Sequence, residues 1–151
     1  MTKKKHSCPF QKGTFIEKTI LLSPAFIALS KHGRMILFLF LLKRQMPGNF
    51  KSRKMLPKDT VINNGELELS YKELYSIGLK NQQIARGFDD VIEKGFIKMT
   101  ERGGKGKGSY NLYQLLNDWK DYGTDKFKER EREKSVGYGY CKSKIKLANN
   151  M

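Results

Sequence analysis

The stretch Ser70-Tyr71-Lys72-Glu73-Leu74-Tyr75-Ser76-Ile77-Gly78-Leu79-Lys80-Asn81-Gln82-Gln83-Ile84-Ala85-Arg86-Gly87-Phe88-Asp89-Asp90-Val91-Ile92-Glu93-Lys94-Gly95 carries the decisive pattern of this 151-residue chain. Ser70 and Glu73 have capping-box spacing: the serine oxygen can accept from the N–H of residue 73 while the glutamate reaches back to the serine N–H. The helix they open is short, residues 71–77, because Gly78 is placed to leave it in the left-handed conformation that closes many helices. A longer helix is expected over residues 81–94. In it Ile84, Phe88, Val91 and Ile92 recur at i, i+4, i+7 and i+8, which is one helical face. Gly95 ends it. Two helices joined by a tight Gly-containing turn fit a helix-turn-helix motif.

Upstream, Ser23-Pro24 reads as a helix start, with serine as N-cap and proline at the first helical position. A helix over 24–29 is followed by a second cap at Ser30 and a helix of about 14 residues, apolar almost all round in its second half. Lys43 and Arg44 suit the negative end of its dipole. Residues 45–60 form a basic loop with Lys51, Arg53, Lys54 and Lys58, Asn63-Asn64-Gly65 a turn, and residues 66–69 an alternating short strand. Downstream, 96–100 and 110–115 read as two strands around a hairpin loop in which Arg102, Lys105 and Lys107 stand among four glycines. The expected fold is therefore α+β and mainly helical, a winged helix-turn-helix with a three-helix core, a β-hairpin wing and flexible basic termini. Residues 1–20 would be a basic arm, 21–118 the domain, and 119–151 a charged and aromatic extension. In that extension Trp119, Tyr122 and Phe127 could pack back, and 126–134 could form a solvated helix.

The formal net charge is +15, and it is unevenly placed. Residues 1–58 hold 13 bases and one acid, residues 59–118 hold 8 bases and 9 acids, and residues 119–151 hold 9 bases and 5 acids. A basic chain favours a polyanionic partner, with nucleic acid ahead of a membrane surface. The segment with the helix-turn-helix pattern is nevertheless net −1, so attraction and recognition are expected in different stretches. The two cysteines, Cys8 and Cys141, support neither a disulfide framework nor a zinc cluster. The longest apolar run, residues 35–42, is well short of the roughly 18 that a spanning helix needs. Lys3, Lys4 and Lys5 resemble the charged start of a signal peptide, but no apolar segment follows. A cytoplasmic protein is expected, nucleoid-associated when bound to DNA.

Ser23-Pro24-Ala25-Phe26, Leu29-Ser30, Asn63-Asn64-Gly65 and Gly95-Phe96-Ile97, in that order, resemble the helix-turn-helix proteins of bacterial mobile elements and prophages. The resemblance covers residues 23–115. It implies double-stranded DNA binding by a transcriptional regulator or accessory factor, with no indication of target site.

In such an arrangement the 81–94 helix enters the major groove, and its readers are Lys80, Asn81, Gln82, Gln83, Arg86 and Gly87. Asn and Gln can pair bidentately with adenine and Arg with guanine, whereas Lys suits phosphate. Asp89, Asp90 and Glu93 restrict the approach to the first half of the helix. Asn81 reads equally well as a plain cap, and the glutamines as a solvated face. Arg102, Lys105 and Lys107 would track a minor groove or backbone. A phosphate-binding loop is excluded there, because Ser109 follows Gly108 without the required lysine. His6 and His32 have no catalytic neighbours in sequence, so no enzyme, metal or cofactor is expected. Two alternatives stay open: a protein-interaction module, and an RNA or ribonucleoprotein component using the basic ends with Tyr138 and Tyr140. A homodimer through the apolar helix or aromatic tail is compatible with each.

Overall fold

The computed structural model describes residues 14–46, 60–104 and 109–132. A four-residue helix that the sequence pattern did not announce, α1 (Lys18–Leu21), opens the described chain and buries Ile20. The Ser23 hydroxyl donates to the Ile20 carbonyl at 2.7 Å and accepts from the Phe26 N–H at 3.1 Å. It therefore closes α1 and caps α2 (Pro24–Ala28), with Pro24 in the first turn. Ser30 repeats the device, its oxygen accepting from the Gly33 N–H at 3.1 Å, and α3 (Lys31–Lys43) follows. Ile36, Leu37, Phe40 and Leu41 turn inward. The Arg44 side chain is only 7% exposed: it donates to the carbonyls of Leu41 and Phe15 and faces Glu17 at 3.7 Å. The second of the two cations expected at the end of this helix thus also ties residues 15 and 17 to it.

β1 (Leu67–Glu68) leads to the capping box as expected. The Ser70 N–H donates to Glu73 Oε2 at 2.9 Å and the Glu73 N–H to Ser70 Oγ at 3.3 Å, opening α4 (Tyr71–Ser76). Glu73 also binds Lys43 at 2.7 Å, pinning α4 to the end of α3. The Lys43 hydrogen bond, and after it the Ser70 N–H, hold the Glu73 carboxyl below the usual glutamate range. Gly78 takes φ +90°, and α5 (Asn81–Glu93) begins after a short turn.

The α3–α5 contact is the heart of the body. A Cβ on Gly87 would stand 2.6 Å from Ile36 Cδ1 and 3.2 Å from the His32 carbonyl, so glycine lets the two helices approach. Phe40 of α3 and Phe88 of α5 meet at 6.0 Å. Tyr113 lies 5.1 Å from the first and 5.3 Å from the second. Burial of its ring pushes the Tyr113 phenol above the ordinary tyrosine pKa.

Tyr113 belongs to β3 (Leu112–Leu115), the middle strand of an antiparallel sheet ordered β1-β3-β2, with β2 spanning Ile97–Glu101. Leu67 and Met99 both pair with Tyr113. The register slips between Met99 and Glu101, and the Thr100 hydroxyl there donates to the Gly65 carbonyl at 2.7 Å. Such a bulge re-aims the strand as it leaves the sheet. The fold is α+β, with five α-helices and one three-stranded antiparallel sheet among the described residues.

Both expected domain boundaries need moving. The packed body begins before residue 21, since Ile20 is buried and the Thr14 hydroxyl donates to the Leu41 carbonyl at 3.2 Å. It also runs past 118. A 3-10 turn, Asp118–Asp121, buries Trp119 against Phe96, rings parallel within 13° and 5.7 Å apart. Gly95, at φ +79°, both stops α5 and leaves room for this turn: a Cβ there would lie 2.9 Å from the Asp118 Cβ and 3.0 Å from Phe127. Of the expected solvated helix at 126–134, the described part, 126–132, is not helical. Instead Arg130 bonds Asp118 at 2.9 Å and Arg132 bonds Asp89 at 3.0 Å, so its cations pair with the body rather than with neighbours one helical turn away. Residues 1–13, the loop at 47–59 and residues 133–151, with the expectations placed on them, lie outside the described residues.

Candidate nucleic-acid interface

Five side chains were expected to read DNA from α5 and the residue before it, and the structure sorts them. Lys80, Asn81, Gln82 and Arg86 are exposed, and Gln83 is half-buried. Gln83 is occupied in part by its own helix: its Oε1 accepts the Lys80 N–H at 2.9 Å, serving the orphan donor of the helix start. Asn81 Oδ1 accepts the Tyr75 hydroxyl of α4, bridging the turn between the two helices. Gly87 is not a reader. It lies on the face of Ile84 and Val91, buried against α3, where the close approach requires it.

The acids of α5 all sit in its second half, and each has a partner. Asp90 accepts the Ser30 N–H at 2.7 Å and stands 3.5 Å from Lys94; Glu93 lies 3.9 Å from Lys94; Asp89 bonds Arg132. Asp89, Glu93, Glu129, Glu131 and Arg132 together line an open cleft. That end of the helix presents four carboxylates and one guanidinium to solvent and repels a phosphate backbone. The first half presents Lys80, Gln82 and Arg86 and contains no carboxylate.

Of the three cations expected on the hairpin, Arg102 is described and exposed, just beyond β2. The hairpin closes through the Gly103 N–H on Asn111 Oδ1 at 2.9 Å and the Gly104 N–H on Ser109 Oγ. Lys105 and Lys107 lie outside the described residues. Two residues beside the site escaped the sequence reading. Tyr71 and Tyr75 on α4 are exposed and meet edge to face at 6.2 Å. Their i, i+4 spacing was a signal available in the sequence. Arg132 also escaped it, and no local pattern could have joined it to Asp89.

Among the described residues no group of three or more His, Cys, Asp or Glu is placed to hold a metal ion. No described helix is long and apolar enough to cross a membrane. No family model, curated protein or solved structure matches the chain.

Proposed function

We propose that the chain is a winged helix-turn-helix protein that binds double-stranded DNA with sequence selectivity, as a regulator or accessory factor of a mobile element or prophage. The observation that carries this reading is the division of α5. Its first half bears exposed Lys80, Gln82 and Arg86 without a carboxylate, while every acid is held in the second half. In this reading α4 and α5 are the helix-turn-helix, α5 lies in the major groove, and β2 and β3 with their connecting loop are the wing. Lys80 and Arg102, with Lys105 and Lys107, contact phosphates. The basic stretches at either end of the chain add attraction without sequence information.

Equilibrium binding of the full chain to duplex DNA and to a structured RNA, at 50 mM and again at 200 mM salt, tests this. Duplex affinity should fall by orders of magnitude over that fourfold change, as expected when several phosphates are neutralised. Arg86→Ala should weaken selective binding, and Lys105→Ala with Lys107→Ala should weaken binding to all sequences. If duplex binding survives these changes and vanishes when residues 1–20 are removed, the arm binds and groove reading is wrong. Preference for RNA would transfer the function to the second alternative. Binding to neither favours an interaction module, for which exposed Leu22, Ile27, Met35 and Leu42 are the supporting observation.

A further inference from the structure

We infer that base selectivity rests on Gln82 and Arg86 alone, and that the neighbouring amides, Asn81 and Gln83, serve the helix start and do not read bases. The inference rests on the DNA-binding reading above and narrows it from five side chains to two. A bidentate adenine contact needs an amide to give its NH2 and receive through its oxygen at once. Gln83 cannot offer both, because its Oε1 accepts the Lys80 N–H at 2.9 Å. The backbone group is a donor only, so the orientation of that amide is fixed. Asn81 has its Oδ1 on the Tyr75 hydroxyl, which leaves it an NH2 group suited to a phosphate oxygen at the groove edge. Lys80 has no acceptor at all.

Gln82 and Arg86 are different. Both are exposed, and they stand at i, i+4 on the outward face, where a straight helix aligns them. Asp89 continues that face and is bonded to Arg132, so Arg86 is not drawn toward it by default of any other partner for that acid. The two readers are separated by about 6 Å along the helix axis, at 1.5 Å per residue. With duplex steps of about 3.4 Å per strand, they fall on bases one or two steps apart. The preferred site therefore contains an adenine, met by Gln82, and a guanine, met by Arg86, within about two steps of each other.

The experiment is selection of sites from a randomised duplex pool by the full chain, followed by competition binding with the selected site. Gln82→Ala should abolish preference at the adenine and Arg86→Ala at the guanine, each with about a tenfold or greater loss of discrimination. Asn81→Ala and Gln83→Glu should recover the wild-type consensus, even where total affinity falls. The glutamate variant keeps the accepting oxygen of the cap and removes the NH2, so it separates reading from folding. A consensus altered by Asn81→Ala or Gln83→Glu overturns the inference, and so does wild-type binding without base preference. Failure of the wild-type chain to bind any duplex instead overturns the DNA-binding reading on which this rests.

Discussion

The two halves of α5 are made from similar numbers of polar residues and do opposite work. From Asn81 to Arg86 the polar groups are exposed or serve the first turn of the helix. From Gly87 to Glu93 the helix is pressed onto α3, and its acids are tied to Ser30, Lys94 and Arg132. The difference shows that one helix can be rigidly seated by one end while the other end stays available. Seating is nonlocal and expensive to disturb; availability is a matter of which side chains lack an internal task.

That contrast gives a ranked set of expectations. Phe88→Ala, which empties a fully buried ring site between Phe40 and Tyr113, should cost about 3–5 kcal/mol in a urea melt. Gly87→Ala forces a methyl to within 2.6 Å of Ile36 and should destabilise by about 1–3 kcal/mol, despite alanine's better helix propensity. An unchanged or higher melting midpoint would mean that α3 and α5 are not held at this spacing. Arg132→Ala removes a pair that is partly exposed on both sides, so less than about 1 kcal/mol of stability should be lost. Arg86→Ala, in the available half, should stay within about 0.5 kcal/mol of wild type in the same melt. A large loss of stability there would erase the division between the halves.

A pH series adds a control outside α5. Glu73 is held below its ordinary pKa, so its contribution is complete above the normal glutamate range. As pH falls below that range the unfolded chain takes up the proton first, and the contribution is lost as pH passes the lowered value of the folded state. Urea melts between pH 6 and about pH 3 should therefore show an acid decline that Glu73→Gln reduces. The anchoring of α4 to α3 should respond, and the α3–α5 contact should not.

How much of this could be read beforehand depended on range along the chain. Ser23, Ser30, Ser70 with Glu73, Gly78 and Gly95 act on groups within a few residues, and each expected start or stop falls where the pattern placed it. The burial of Gly87 was also accessible, because it shares the face of Ile84 and Val91; exposure was assigned to it through its polar neighbours instead. α1 gave no sign of itself, since its capping and burial come from Ser23 and from α3. The seating of 126–132 was equally hidden, because an alternating run of Arg and Glu looks the same whether it pairs within itself or with Asp118 and Asp89. In the candidate site, residue types and order were legible, but the internal bonds of Asn81 and Gln83 were not. They depend on where the turn places Tyr75 and on how the backbone of residue 80 meets the helix.

The strand order β1-β3-β2 has a consequence for the order of assembly. β1 has no partner but β3, so it waits, with its edge groups unpaired, until residues 112–115 arrive from far along the chain. The helices can form from local contacts as soon as their caps exist; the sheet must close a long loop first, which is slow in entropy terms. A chain cut before residue 112 would retain helical segments with no middle strand, and Tyr113, the ring that joins both helices to the sheet, would be the last piece set into the interior.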